Sequence, residues 1–164
     1  MGRERTRGGE AATRVILSTF RASGIFLEAG DRLTEDEGLT SARWQVLGAI
    51  AVAERPLTVP QIARRMGLTR QSVHATANRL IENGLLEQIP NADHRRSSLL
   101  DLTESGRAVY AAVDLRQAEW VNLLARRIPL ADLETAARVL DELSRQLSDG
   151  GLDGASAPAR EGAR

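Results

Sequence analysis

Apolar residues recur at helical spacing along most of this chain and give way to short strand-like runs once, past its middle. Between Ala11 and Leu33, the positions Val15, Ile16, Phe20, Ile25, Phe26 and Leu27 fall at roughly helical intervals with no proline, which predicts a long first helix. Gly24 interrupts it, at a cost of about 1 kcal/mol against alanine in a helix interior. Close helix packing, a bend and a tolerated defect all remain open as its reason. The acidic run Glu35-Asp36-Glu37-Gly38 reads as a loop. Thr40 or Ser41 then caps a second helix with Trp44, Leu47, Ile50 and Ala51 on one stripe, ending near Glu54-Arg55-Pro56.

The next segment carries the strongest local signals. Thr58-Val59-Pro60-Gln61 fits a capping box, in which the threonine reaches the third helical amide and the glutamine reaches back. Pro60 is tolerated there because amides of the first turn have no helical partner. A short helix follows with Ile62, Ala63 and Met66 inward, and it stops at Gly67, which permits the left-handed conformation of a tight turn. Thr69 is an N-cap for a helix of about a dozen residues through Leu80 to Asn83-Gly84. Two helices joined by a short glycine-containing turn are the helix-turn-helix signature.

Leu85–Ile89 and Ser98–Leu102 read as two short strands around the polar loop Pro90–Ser97, a hairpin wing. Thr103 can cap a long helix bearing Val109, Val113, Trp120, Leu123 and Leu124 up to Ile128. Pro129 separates it from a last helix striped by Leu133, Ala137, Leu140, Leu143 and Leu147. The fold class expected is mainly α with a small β-hairpin, a winged helix-turn-helix flanked by N- and C-terminal helices.

Composition sharpens this outline. The 164 residues suffice for one ordinary domain with appendages. With no cysteine, disulfides, thiolate metal sites and thiol nucleophiles are excluded, and a reducing cytoplasm fits best. Met1–Glu10 alternates Arg and Glu with Gly, unlike a signal peptide, and no apolar run reaches the ~20 residues of a membrane span. All 22 basic residues are Arg, matched by 22 acids, but the signs are segregated along the chain. From Pro60 to Leu100 six Arg face three acids; from Glu28 to Glu54 six acids face two Arg; and from Asp101 to Asp149 nine acids face six Arg. A small basic surface between acidic flanks suits DNA.

At about 100° per residue, Val73, Ala77, Leu80 and Ile81 occupy one arc of the helix that Thr69 caps, while Gln71, Ala75, Asn78 and Arg79 point away, flanked by Arg70, Ser72 and His74. Arginine can grip guanine O6 and N7, glutamine or asparagine can bridge adenine N6 and N7, and a small residue such as Ala75 leaves room for a thymine methyl. The Thr69 and Ser72 hydroxyls at the helix N-terminus suit phosphates. At the hairpin tip, Arg95 and Arg96 can reach a narrow minor groove; the plainer reading is a solvated turn with either arginine paired to Asp93.

The chain also resembles the MarR-type regulators, from about Ala11 to Leu147. Leu39-Thr40 through Trp44 to Leu47, Leu68-Thr69-Arg70-Gln71-Ser72-Val73 through Leu80 to Gly84-Leu85-Leu86, and Arg95-Arg96 through Leu99 to Leu102-Thr103-Glu104-Ser105-Gly106 carry the resemblance. It implies a homodimer in which the first helix and the last two interlock, bound to a pseudo-palindromic site on double-stranded DNA and usually repressing. It implies base readout at Arg70, Gln71, His74 and Ala75, and minor-groove insertion by Arg95 or Arg96. On this reading 1–10 is a disordered N-terminus, 11–34 a dimerisation helix, 35–104 the DNA-binding lobe, 105–148 dimerisation helices and 149–164 a disordered tail. Many relatives have Asp directly before the arginine pair; His94 stands there instead, with Asp93 one step earlier. Peroxide sensing through a first-helix cysteine is excluded. Other relatives respond to small aromatic acids held between dimerisation helices and DNA-binding lobe, so a small aromatic or phenolic effector is a candidate partner. Phe20 and Trp44 are candidates to line its pocket, against the plainer reading of both as core aromatics.

No cofactor motif, metal set, or nucleophile with its base is found, and the two histidines fall in the DNA-facing elements, so an enzyme is not expected. The rival reading is a winged-helix protein-interaction adaptor, because fold does not dictate function.

Overall fold

The computed structural model describes residues 4–92 and 97–148. The elements follow in the order α1 (Arg7–Thr34), a 3-10 turn (Glu35–Glu37), α2 (Ser41–Ala51), α3 (Val59–Met66), α4 (Arg70–Glu82), β1 (Leu86–Ile89), β2 (Leu99–Leu102), α5 (Glu104–Ala125) and α6 (Leu130–Ser148). The chain divides into two units, the first ending at Ala118 and the second beginning at Glu119.

The helix starts follow from their caps. The Gly9 N–H donates to Thr6 Oγ1 at 3.0 Å, and this cap starts α1 at Arg7 despite two glycines in its first turn. Residues 7–10 are therefore helical, which corrects the expectation of a disordered stretch through residue 10. Gly24 leaves the helix continuous, and a Cβ there would meet nothing within 4 Å, so close packing inside this chain is not its reason. Residues 35–37, expected as loop, close into a single 3-10 turn, because Gly38 adopts φ 63 and its N–H donates to Glu35 O at 2.9 Å. Thr40, not Ser41, caps α2. The Ser41 amide is taken instead by the Asp31 carboxylate of α1, at 2.6 Å.

The core lies in the first unit. Leu47 and Ile50 of α2, Leu57, Ile62 of α3, Val73 and Leu80 of α4, and Leu86 and Leu100 of the hairpin are all buried together. Full burial of each such side chain contributes about 1.5–3 kcal/mol. α2 is covered on most sides, with Val46 and Ala49 buried beyond the expected stripe.

The hairpin is antiparallel, with register Leu86↔Leu102, Glu87↔Asp101, Gln88↔Leu100 and Ile89↔Leu99. Its second strand also pairs with Leu57, whose N–H donates to Leu100 O at 3.0 Å while the Leu100 N–H donates to Leu57 O at 2.8 Å. This bridge ties the segment before α3 to the wing. Thr103 fixes where the wing ends: its hydroxyl donates to Gly84 O at 2.6 Å and accepts from the Gly106 N–H at 3.0 Å, which starts α5. That approach requires a glycine at 106, because a Cβ there would collide with the Leu85 carbonyl oxygen.

In the second unit α6 is amphipathic, and Leu130, Val139, Leu140 and Leu147 are exposed in the single chain. α5 ends at Ala125, short of the expected Ile128, as the chain turns before Pro129. Residues 149–164, expected as a disordered tail, lie outside the described residues.

Candidate nucleic-acid interface

Local sequence chemistry builds the two helices of the candidate site. In α3 the Thr58 N–H donates to Gln61 Oε1 at 2.8 Å and the Gln61 N–H donates to Thr58 Oγ1 at 3.4 Å, completing the capping box. Gly67 at φ 63 ends α3, in the left-handed region a side chain would disfavour. Two residues later Thr69 caps α4, accepting from the Ser72 N–H at 3.1 Å. Ile62 and Ala63 of α3 and Val73, Ala77 and Leu80 of α4 are buried, which fixes the angle of α4 on the lobe. Met66 and Ile81, expected inward, are half-buried against that core.

With its inner arc so committed, α4 presents Thr69, Arg70, Gln71, Ser72, His74, Ala75, Asn78 and Arg79 on exposed positions, as the periodicity predicts. Neither Arg70 nor Arg79 has a carboxylate partner among the described residues. Two arginines of α5 differ. Arg107 pairs with Asp101 at 3.1 Å, and Arg116 spans Asp36 at 3.3 Å and Glu37 at 2.9 Å. Arg64, Arg65, Arg70 and Arg79 of the helix-turn-helix are thus exposed without a carboxylate partner among the described residues, and are available to a phosphate surface.

Arg95 and Arg96, together with Asp93 and His94, lie outside the described residues. The hairpin leading to them is closed by Asn91, whose Nδ2 donates to Ser97 O at 2.9 Å. Sequence reasoning missed a further set of polar groups here. Gln88, Ser97 and Ser98 border a cleft of about 230 Å³ shared with His74 and Asn78 of α4. Only the strand register brings them beside α4, and no local pattern signals it.

A larger cavity of about 640 Å³ lies between α2, α3 and α5, lined by Trp44, Arg65, Met66, Tyr110, Asp114 and Gln117 among others. Trp44 borders it and also packs against the core. Phe20 does neither: it is 71% exposed in the single chain, which corrects its reading as a core aromatic, and it does not line this cavity. The physical reason is that the buried positions of α1, Gly30 and Thr34, lie at its C-terminal end, well beyond Phe20. The Tyr110 hydroxyl is held protonated above its ordinary range of 10.0, first by burial and then by the charge and hydrogen bond of Asp114. Among the described residues no group of three or more His, Asp or Glu could hold a metal ion.

Comparison with known proteins gives a consistent picture. Residues 37–97 match the model of the MarR family. An uncharacterized protein of Mycobacterium tuberculosis is 42% identical over 134 residues, covering 82% of this chain and 90% of that one. The transcriptional activatory protein BadR of Rhodopseudomonas palustris is 31% identical over 103 residues, covering 62% of this chain and 59% of BadR. Among solved structures, a MarR-family transcription regulator superposes with TM-score 0.71 at 22% identity, covering 87% of this chain and 93% of that one. The M. tuberculosis transcriptional regulator MOSR, in complex with DNA, superposes with TM-score 0.65 at 22% identity, covering 80% and 96%.

Proposed function

The chain belongs to the MarR family, and on that premise we propose that it is a sequence-specific regulator that binds double-stranded DNA as a homodimer, usually as a repressor. The observation that carries this is the exposed polar face of α4, on which Arg70 and Arg79 have no carboxylate partner among the described residues. Arg70, Gln71, His74, Ala75 and Asn78 read base edges in the major groove, Thr69, Ser72 and Arg79 hold phosphates, and Arg95 or Arg96 enters the minor groove. One relative is named a transcriptional activatory protein, so activation is the alternative sign of regulation.

The homodimer reading is supported by the apolar side chains of α1 left uncovered in one chain, among them Leu17, Phe20, Ile25 and Phe26. The cavity beside Trp44 and Tyr110 is the place for a small aromatic or phenolic effector. Action in the cytoplasm is part of the proposal; no helix among the described residues is long and apolar enough to cross a membrane.

The experiment is capture of genomic fragments by the purified protein, with its own promoter region as a control. Enrichment of a shared motif is expected, with Arg95→Ala plus Arg96→Ala weakening binding to every fragment and Gln71→Ala relaxing the motif at one position by about 1–3 kcal/mol. Capture without any shared motif would favour the protein-adaptor reading.

A further inference from the structure

The cleft of about 230 Å³ between α4 and the hairpin has two walls of different origin. His74 and Asn78 line it from α4, and Gln88 of β1 with Ser97 and Ser98, just ahead of β2, line it from the hairpin. The hairpin side is held from several directions. Gln88 faces Leu100 in the strand register, Leu100 is bonded on its other edge to Leu57, and the Ser97 carbonyl accepts from Asn91 Nδ2 at 2.9 Å. The backbone of this wall is therefore fixed. The Gln88 amide and the Ser97 and Ser98 hydroxyls, by contrast, have no hydrogen-bond partner among the described residues. They are free to bind a group from outside the chain, and a fixed frame loses little freedom when they do.

The chemistry of the lining narrows what that group is. No carboxylate and no guanidinium lines the cleft. Hydroxyl and amide groups can all donate, and the oxygens of a phosphodiester only accept. With no carboxylate at hand, nothing in the cleft repels an anion.

Position supplies the rest. With α4 in the major groove and the hairpin tip in the neighbouring minor groove, the sugar-phosphate strand that separates the two grooves passes over the space between these elements. That space is the cleft.

We propose that Gln88, Ser97 and Ser98 bind a backbone phosphate of the strand between the two grooves, through neutral hydrogen bonds that fix the register of α4 and the hairpin on the duplex. This rests on the reading that α4 enters the major groove, and its test separates the two ideas.

Neutral donors leave a signature that arginines do not. The salt dependence of binding follows the cations that displace counterions, so a neutral contact adds affinity without steepening it. A phosphate contact also carries no sequence information.

The full chain is measured on a duplex that it selects from genomic fragments, at about pH 8, where histidine is neutral. Gln88→Ala with Ser98→Ala alters two exposed side chains. It is expected to weaken binding at least about tenfold, the scale of one hydrogen bond to a charged group. The selected motif and the slope of log affinity against log salt stay as in wild type. Arg95→Ala with Arg96→Ala, in contrast, makes that slope shallower, and Ser98→Thr, which keeps the hydroxyl, binds as wild type does. Phosphates of the duplex are then replaced one at a time by methylphosphonate, which lacks the charged oxygen. One position in each half-site is expected to weaken wild-type protein and to leave the double variant unaffected, because the contact is already lost. An unchanged affinity, a changed motif or salt slope in the double variant, or the same methylphosphonate pattern in both proteins overturns the proposal. If wild-type protein selects no duplex, the DNA-binding reading itself falls, and this proposal with it.

Discussion

The single tyrosine of the chain gives a direct optical probe of the cavity beside α2. Burial, then the charge of Asp114, raise its pKa above 10.0. Below pH 10.0 the folded and unfolded states both hold the proton and the favourable contribution is fully present; as pH rises through the folded value, the unfolded chain has already ionised and that contribution is lost. Alkaline absorbance titration is expected to give a tyrosinate midpoint above 10.0, and Asp114→Asn should move it down only part of the way, because burial is the larger cause. A wild-type midpoint at or below 10.0 would contradict the environment described for Tyr110. Gly106 makes a second residue-scale claim. Gly106→Ala drives a Cβ into the Leu85 carbonyl oxygen and is expected to cost about 3 kcal/mol or more in denaturant unfolding, at or beyond the upper end of ordinary overpacking. A cost under about 1 kcal/mol would mean that the hairpin and α5 can separate without penalty.

At the scale of elements, what was legible in the sequence was what depends on near neighbours. Thr58, Gly67 and Thr69 each act within a few residues, and each sits where its pattern places it. Thr69→Ala should therefore lower stability by about 1 kcal/mol, read from the midpoint of a urea melt. An unchanged midpoint would show that the cap bond from the Ser72 amide is not what starts α4. Contacts between distant residues were not legible: Asp31 with the Ser41 amide, Leu57 with Leu100, and Arg116 with Asp36 and Glu37 join segments that no local pattern relates. The two aromatic candidates divide on the same ground. Periodicity marks Phe20 and Trp44 as belonging to apolar faces, but only the fold reveals that Trp44 packs in part against the core and that Phe20 is exposed. The exposed arc of α4 was fully legible, since its exposure is the complement of a buried arc set by Val73, Ala77 and Leu80.

For the whole molecule, the uncovered face of α1 and the modest charge of one lobe point to the same requirement. One lobe carries few unpaired arginines, so tight, specific binding calls for two lobes acting together. Phe20→Arg places a charge in a face proposed to be buried between chains, and is expected to weaken self-association by about a hundredfold or more in sedimentation experiments. DNA affinity should fall with it; a variant that stays dimeric would move the interface elsewhere. The most direct measurement of the central claim is the affinity and stoichiometry of the full chain on a selected duplex as salt is raised from about 50 to about 200 mM. The account predicts two chains per duplex and an affinity falling at least about a hundredfold, as expected for about four neutralised phosphates. Binding that is indifferent to salt, or saturation at one chain per duplex, would contradict it.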